Sequence, residues 1–322
     1  MNGIGLVLSG GGGTGGYQIG VWKYLREIGL DRQICAVSGT SAGALNTMLF
    51  ADGDYDKAER IWRSVTPNKI LHIKLKDVLE LVSGMRYIED ADLFRLRPGM
   101  PYALQKLKDY ERAYQKSLVR LPESISHSIL GGQPLKHFMT EQIATFFREM
   151  LGSAMISQDI MQQMMREEIV FSRVKNFRGP CFITCVEYPR MVVRRFDLRD
   201  HSPELMQKIV LASAAIPVIY DPVEIDGLEY YDGGTPPFGD GVPVQPVYDH
   251  GVDTILVVHL HRDRPVCRAD FPGANIIEFV PSRSLGGVLD FGLRQIERRI
   301  ELGYEDAREQ LRTLAMRPGW VF

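Results

Sequence analysis

The sequence predicts a three-layer α/β/α protein with a mainly parallel central sheet. Two β-turn-α units lie within the first fifty residues, a pattern typical of a parallel sheet with helices on its faces. Further apolar, strand-like runs return between residues 181 and 280. The chain has 322 residues, of which 45% are hydrophobic and 24% are charged, as expected for a soluble globular protein with a sizeable core.

Both β-turn-α units can be delimited from the pattern of apolar residues. The first consists of a strand over Ile4–Leu8, a run of glycines and a helix over 17–28, where apolar residues recur at helical spacing. The second consists of a buried strand over 34–37, a sharp turn over 38–41 and a helix over 42–50. Because neighbouring parallel strands end at one edge of a sheet, the two turns are expected to lie side by side.

The later elements are predicted from the same patterns. They comprise strands at 181–186, 191–196, 254–260 and 276–280, a hairpin of 223–225 and 228–231, and helices at 205–215 and 293–316. Residues 67–178 have a helical pattern and carry more basic than acidic side chains. We expect them to form a helical insertion or cap within a single domain over 1–322.

Charge and cysteine content narrow the function classes. The net charge of −2 gives no indication of nucleic-acid binding. The four cysteines have no metal-ligand spacing and are expected to be reduced thiols. The sequence shows no signal peptide and no apolar run long enough to span a bilayer, so a cytoplasmic protein is expected, with peripheral membrane contact left open. It does not define an oligomeric state.

The strongest local motif is Gly39-Thr40-Ser41-Ala42-Gly43, which fits the G-x-S-x-G pattern of a nucleophile elbow. A serine on a tight turn between strand and helix needs small neighbours, because the two elements pack closely there. The amides that begin the following helix face the place where negative charge develops. A helix that is simply capped after a turn is the alternative interpretation.

A second turn between strand and helix, residues 10–16 (GGGGTGG), presents a row of glycine amides that suits an anion. Three interpretations are open. The spacing Gly10-x-Gly12-x-x-Gly15 matches a dinucleotide fingerprint, although residues 38–41 lack the acidic residue that this fingerprint requires. A phosphate loop would need a following Gly-Lys-Ser/Thr, which is missing. The third interpretation is an oxyanion hole for Ser41, which agrees with the shared sheet edge.

An acidic residue completes the set of motifs. Asp232 follows a predicted strand and precedes two glycines, so its carboxylate can reach a site at the same edge, with a plain Asp-Gly turn as the alternative. Among the histidines, only His259 and His261 end an apolar strand. A Ser-acid-His triad is disfavoured, because only two strands precede Ser41 whereas an α/β-hydrolase has several.

Taken together, the three motifs resemble the patatin-like phospholipase family, and the similarity runs over most of the chain. The resemblance implies a serine acyl hydrolase, a phospholipase A or lipid esterase, that acts on a lipid or acyl ester without a metal or other cofactor. It implies Ser41 as the nucleophile and Asp232 as its dyad partner. It further implies an oxyanion hole formed by the backbone N–H groups of Gly11, Gly12 and Gly13. The supporting motif residues are Gly10, Thr14, Gly15, Gly39, Gly43, Gly233 and Gly234.

One position departs from the family pattern. Thr14 stands where this family usually has Arg or Lys, so a positive charge beside the glycine-rich turn is missing. A compensating cation could come from the basic segment 67–178. Two alternatives to an active hydrolase stay open: a catalytically weak or degenerate family member, and a nucleotide- or anion-binding module built on residues 10–16.

Overall fold

A computed structural model describes residues 3–64, 70–71, 155–156, 158–217, 220–235, 238–288 and 290–315. Most of the predicted helical insertion over 67–178 therefore lies outside the described residues, and its form stays a prediction.

The described strands and helices alternate along the chain, as expected for an α/β protein. The strands are β1 (Ile4–Leu8), β2 (Ile34–Thr40), β3 (Ile70–Leu71), β4 (Met155–Ile156), β5 (Cys181–Tyr188), β6 (Val192–Asp197), β7 (Val223–Ile225), β8 (Leu228–Asp232), β9 (Thr254–Val258) and β10 (Asn275–Phe279). The α-helices are α1 (Gly16–Glu27), α2 (Ala42–Asp52), α3 (Tyr55–Ser64), α4 (Gln158–Glu168), α5 (Phe171–Lys175), α6 (Pro203–Ser213), α7 (Gln245–Asp249) and α8 (Leu293–Ala315). Helices α3 and α7 were not predicted.

Eight of the described strands form one mixed sheet in the order β10-β9-β1-β2-β5-β8-β7, with β6 also pairing with β5. Strands β10, β9, β1, β2 and β5 are parallel to one another, whereas β6, β7 and β8 run antiparallel to their neighbours. The predicted mainly parallel sheet is thus confirmed. Strands β3 and β4 form a separate antiparallel pair.

Side chains of β1 alternate between two apolar layers, one on each face of the sheet. Leu6 and Leu8 belong to a large cluster that includes buried side chains of α1, α2, α6 and α8. Val7 belongs to a smaller cluster with Val247 of α7 on the opposite face. This alternation is the period-2 pattern of a strand covered on both sides, and it gives the three-layer architecture.

Strand β2 is longer than predicted, because it continues to Thr40 instead of ending at residue 37. Ser38 and Gly39 pair with β1 on one side and with β5 on the other, so the ladder holds the chain extended up to the residue before Ser41. The turn predicted over 38–41 is therefore confined to Ser41 itself. This register determines where the nucleophile motif leaves the sheet.

Helix α8 packs directly on α1 through two glycines. A Cβ on Gly20 would lie 1.9 Å from the carbonyl oxygen of Ile300, and a Cβ on Gly303 would lie 2.1 Å from that of Tyr17. The two backbones therefore touch where a side chain would hold them apart. The close contact fixes the position of α8 against the start of α1, next to the glycine-rich turn.

Candidate active site

Ser41 occupies a strained turn between β2 and α2. Its backbone has φ 56° and ψ −120°, a conformation that costs a non-glycine residue about 1–3 kcal/mol. Glycines on both sides make the turn possible: a Cβ on Gly39 would lie 2.1 Å from the carbonyl oxygen of Gly43, and one on Gly43 would lie 2.0 Å from that of Leu8. The G-x-S-x-G motif therefore has the elbow geometry expected from the sequence.

The elbow is anchored by a serine that the sequence analysis did not single out. The Ser41 backbone N–H donates to Ser213 Oγ at 2.9 Å, and Ser213 Oγ donates to the carbonyl oxygen of Thr184 at 2.7 Å. All three residues are buried. Ser213 is the last residue of α6. A single small polar residue among apolar ones was the signal in the sequence that could have indicated its role. Its hydroxyl links the elbow to β5 and thereby stabilises the strained conformation.

Asp232 lies close to Ser41 in a buried position, and the Ser41 side chain is one of the groups that lower the pKa of its carboxyl group. The Gly234 N–H donates to Asp232 Oδ1 at 2.7 Å. Burial raises the pKa of Asp232 to about 6, although the Gly234 N–H and the Ser41 side chain both act in the opposite direction. No cationic side chain is among the groups that shift this pKa, so the carboxylate is only partly compensated.

The topology of β5 explains how Ser41 and Asp232 meet. Residues 181–184 of β5 pair with β2, and residues 185–188 pair with β8, while β6 pairs over 182–187. Because β6 occupies one edge of β5, β2 and β8 lie end to end along the other edge. They run in opposite directions, so both of their C-terminal ends arrive at the middle of β5. Asp232 was expected at this edge, but the antiparallel approach that brings it there was not predicted.

The glycine-rich loop, residues 10–16, lies beside the elbow. A Cβ on Gly10 would be 3.4 Å from Ser41 Cβ, and the Gly10 N–H donates to the carbonyl oxygen of Gly241 at 2.9 Å. The loop leads through a 3₁₀ turn over Gly12–Gly15 into α1. The predicted side-by-side arrangement of the two turns is therefore present.

The three predicted oxyanion donors differ in their hydrogen bonding. The Gly13 N–H donates to the carbonyl oxygen of Val288 at 2.5 Å, so it is already engaged in this conformation. Within the described residues, no acceptor is found for the N–H groups of Gly11 and Gly12. Thr14 holds the Gly11 carbonyl with both its N–H at 3.2 Å and its hydroxyl at 2.6 Å, which fixes the peptide that carries the Gly12 N–H. The free donors among the three are thus Gly11 and Gly12.

A buried polar network joins the loop to the elbow helix. Asn46 of α2 donates to the Gly15 carbonyl oxygen at 3.1 Å and to Gln18 Oε1 at 2.8 Å, and Gln18 donates to the Ser9 carbonyl oxygen at 2.9 Å. The Trp62 indole N–H donates to Asn46 Oδ1 at 2.7 Å. Both ends of the glycine-rich loop are therefore tied to the helix that follows Ser41.

The two histidines considered from the sequence have other surroundings. His259 is buried, and its Nε2 lies 3.0 Å from Glu278 Oε2. Burial lowers the pKa of both His259 and His261. In the part of the chain that the structure describes, neither histidine hydrogen-bonds to Ser41 or Asp232. The described ranges also contain no cluster of three metal-ligating side chains and no helix long and apolar enough to cross a membrane.

Comparison with known proteins decides the family. The family model described as patatin-like phospholipase matches residues 6–248, which contain the glycine-rich loop, the elbow and Asp232. The chain belongs to the patatin-like phospholipase family. This membership supports a lipid hydrolase activity. The match ends before β9, β10 and α8, which complete the sheet and its helical layer.

Two solved structures are similar to the chain. One is VipD from Legionella pneumophila, with 15% identity and a TM-score of 0.46, over 97% of this chain and 67% of that one. The other is the heterodimeric ExoU–SpcU complex from the type III secretion system of Pseudomonas aeruginosa, with 16% identity and a TM-score of 0.36, over 97% of this chain and 51% of that one. The chain thus spans about two thirds and about half of their lengths. Comparison with curated protein sequences gives no significant match.

Proposed function

We propose that this patatin-like protein is a serine acyl hydrolase, a phospholipase A or lipid esterase, that uses Ser41 and Asp232 through an acyl-enzyme. The observation that carries the proposal is the proximity of a buried carboxylate with a raised pKa to a serine on a strained elbow. This combination fits a nucleophile paired with its general base. Membership of the family supports this function over a nucleotide-binding module.

In the first step, Asp232 accepts the Ser41 hydroxyl proton while Oγ attacks the ester carbonyl carbon. A pKa of about 6 makes Asp232 a better base than a solvated aspartate, yet leaves it ionised at neutral pH. The tetrahedral carbon then expels the alcohol or lysolipid, which takes up a proton from Asp232. Water attacks the acyl-Ser41 by the same route, and Asp232 again accepts and returns the proton.

Negative charge on the tetrahedral oxygen needs donors that are in place before the reaction. The N–H groups of Gly11 and Gly12 are available for this role, because their loop lies against Ser41 and no other acceptor engages them among the described residues. A donor of this kind contributes about 3–4 kcal/mol to catalysis in comparable sites. Gly13 would contribute only if its bond to Val288 opened.

The proposed lipid substrate and the cysteine content indicate where in the cell the enzyme acts. The ester bonds of a phospholipid lie at the membrane interface, so the proposed enzyme acts by peripheral contact with a membrane surface. All four cysteines are free, which favours a reducing compartment, and we assign the protein to the cytoplasm on that basis.

Covalent labelling with a fluorophosphonate tests nucleophile, oxyanion hole and access together. We expect one adduct, located by peptide mass analysis at Ser41, with none in Ser41→Ala. Ser202→Ala is the matched control, since Ser202 is an exposed serine at the N-terminus of α6 and far along the chain from the elbow. Labelling that persists in Ser41→Ala, or that is lost in Ser202→Ala, would overturn the assignment of the nucleophile.

A further inference from the structure

Arg299 is a buried guanidinium on the inner face of α8. It is only 2% exposed and lies in the same helical stripe as the buried Ile296, Ile300 and Gly303. An ionised side chain in such a position costs several kcal/mol unless its hydrogen bonds are satisfied. Among the described residues, Arg299 makes no ion pair with a carboxylate. Its burial must therefore be compensated by hydrogen bonds to other acceptors.

Four backbone carbonyl groups satisfy the guanidinium. Nε donates to Leu285 O at 2.8 Å, Nη2 to Gly287 O at 3.0 Å, and Nη1 to both Asp290 O and Gly13 O, the latter at 3.0 Å. Three of these acceptors belong to the segment that precedes α8, and the fourth belongs to the glycine-rich loop. One side chain of α8 therefore binds both the segment that precedes this helix and the glycine-rich loop.

The segment before α8 lies directly against the loop. A Cβ on Gly12 would be 2.3 Å from Val288 O, and one on Gly13 would be 2.7 Å from Asp290 O. Gly13 is held on both sides, by Arg299 at its carbonyl and by Val288 at its N–H. The conformation of the loop thus depends on a segment that in turn depends on Arg299.

We propose that Arg299 is a positioning residue of the hydrolase, which holds the glycine-rich loop so that the amides of Gly11 and Gly12 receive the oxyanion formed at Ser41. The inference rests on the proposed function and adds to it a residue beyond the family match, which ends at residue 248. A planar guanidinium suits the task, because its fixed fork reaches acceptors on different sides at once. Arg299 also places a positive charge at a loop in which Thr14 supplies none.

The test compares Arg299→Met and Arg299→Lys in the full chain on a soluble acyl ester. We expect Arg299→Met to lower kcat by about thirtyfold or more, somewhat less than the roughly hundredfold to thousandfold loss caused by removal of one oxyanion donor, while KM changes less than about threefold. The rate of fluorophosphonate labelling at Ser41 should fall in parallel. Arg299→Lys should be intermediate, because an ammonium keeps the charge but cannot span from Leu285 to Gly13.

Chemical rescue separates positioning from a general loss of packing. Guanidinium ion at millimolar concentration should restore part of the kcat of Arg299→Ala, whereas sodium chloride at the same ionic strength should not. Gln310→Met is the matched control: Gln310 of α8 also donates from its side chain to a backbone carbonyl, that of Glu278, but away from the loop. It should keep the kcat of the unaltered protein and show no rescue.

Folded Arg299→Lys decides the outcome even if the other variants fail to fold. If it has unchanged kcat and labelling rate, Arg299 does not position the loop and the inference fails. If Arg299→Lys loses activity only in proportion to its unfolded fraction, as measured by circular dichroism, it fails likewise. Failure of the proposed function looks different, because the unaltered protein would then not be labelled at Ser41 at all.

Discussion

Two pairs of polar side chains lie at the same edge of the sheet, and they differ in how completely their carboxylates are compensated. Ser41 and Asp232 meet where β2 and β8 end, whereas His259 follows β9 and meets Glu278 of β10. Each pair combines a carboxylate with a group that could take part in catalysis. Their hydrogen-bonding environments separate them.

Glu278 has three donors, one of which is cationic. Its carboxylate binds His259, the Val266 N–H at 2.9 Å and the Arg268 guanidinium at 3.2 Å. Among the described residues, Asp232 accepts a hydrogen bond from the Gly234 N–H and lies beside the Ser41 hydroxyl. Both groups are neutral, and burial raises the pKa of Asp232. A carboxylate without a cationic partner, such as Asp232 beside the strained Ser41, is therefore suited to accept a proton. A carboxylate with several donors, such as Glu278, is suited to a structural role between strands.

The largest expected effect is on turnover at the first pair. Ser41→Ala and Asp232→Asn should each lower kcat for a short acyl ester by at least about a thousandfold, because nucleophile and base act as a unit. The double variant should be no worse than either single one. Steady-state kinetics on folded protein measures this, and near-normal turnover in Ser41→Ala would remove the proposed mechanism.

The second effect is on stability, where the two carboxylates should respond with opposite signs. The folded-state pKa of Asp232 lies above its unfolded value, so its ionisation destabilises the fold as pH rises through about 6. Asp232→Asn should therefore raise the free energy of unfolding at pH 8 by about 1–3 kcal/mol, with the gain vanishing near pH 4. Glu278→Gln should lower it at pH 8 by about 1–3 kcal/mol, because an amide cannot satisfy three donors. Urea unfolding at both pH values checks this, and changes of the same sign at pH 8 would contradict the comparison.

The smallest expected effect is on catalysis when either histidine, His259 of the second pair or the neighbouring His261, is replaced. His259→Asn and His261→Ala should each retain at least about a tenth of kcat/KM, a change of less than about 1.4 kcal/mol in the barrier. The reason is that His259 binds Glu278 and neither histidine bonds to Ser41 or Asp232 in the described chain. Single-variant kinetics measures it, and a loss of several thousandfold at either histidine would replace the dyad by a triad.

The sequence was most informative where a local pattern dictates backbone geometry. Gly39 and Gly43 around Ser41 indicated the elbow, since only small residues fit where strand and helix touch. The predicted end of β2 was too early, because Ser38 and Gly39 are held in the strand by pairing with β1 and β5. This pairing depends on the tertiary structure and not on the local sequence. The sequence predicted that Asp232 lies at this edge, but it did not predict that β8 runs antiparallel to β5. Nothing in the local sequence of β8 sets the direction of this strand relative to β5.

Residues that act through distant contacts were missed for a related reason. Arg299 lies in the helix predicted over 293–316 and was not singled out, although its place in the stripe of Ile296 and Ile300 was a detectable signal of burial. Its four carbonyl partners come from two segments that only the fold brings together. The catalytic roles of Ser41, Asp232, Gly11 and Gly12 remain predictions, now with a geometry that can be tested.

The position at which the family match ends has a consequence for how the chain can be divided. Residue 248 precedes β9, yet β9 lies next to β1 in the interior of the sheet and pairs with it over its full length. A chain cut at this position would leave β1 as an open edge strand, apolar on both faces and ready to pair with another molecule. It would also lose α8 and with it Arg299. The segment that the family model matches is therefore shorter than the part of the chain that forms the complete sheet.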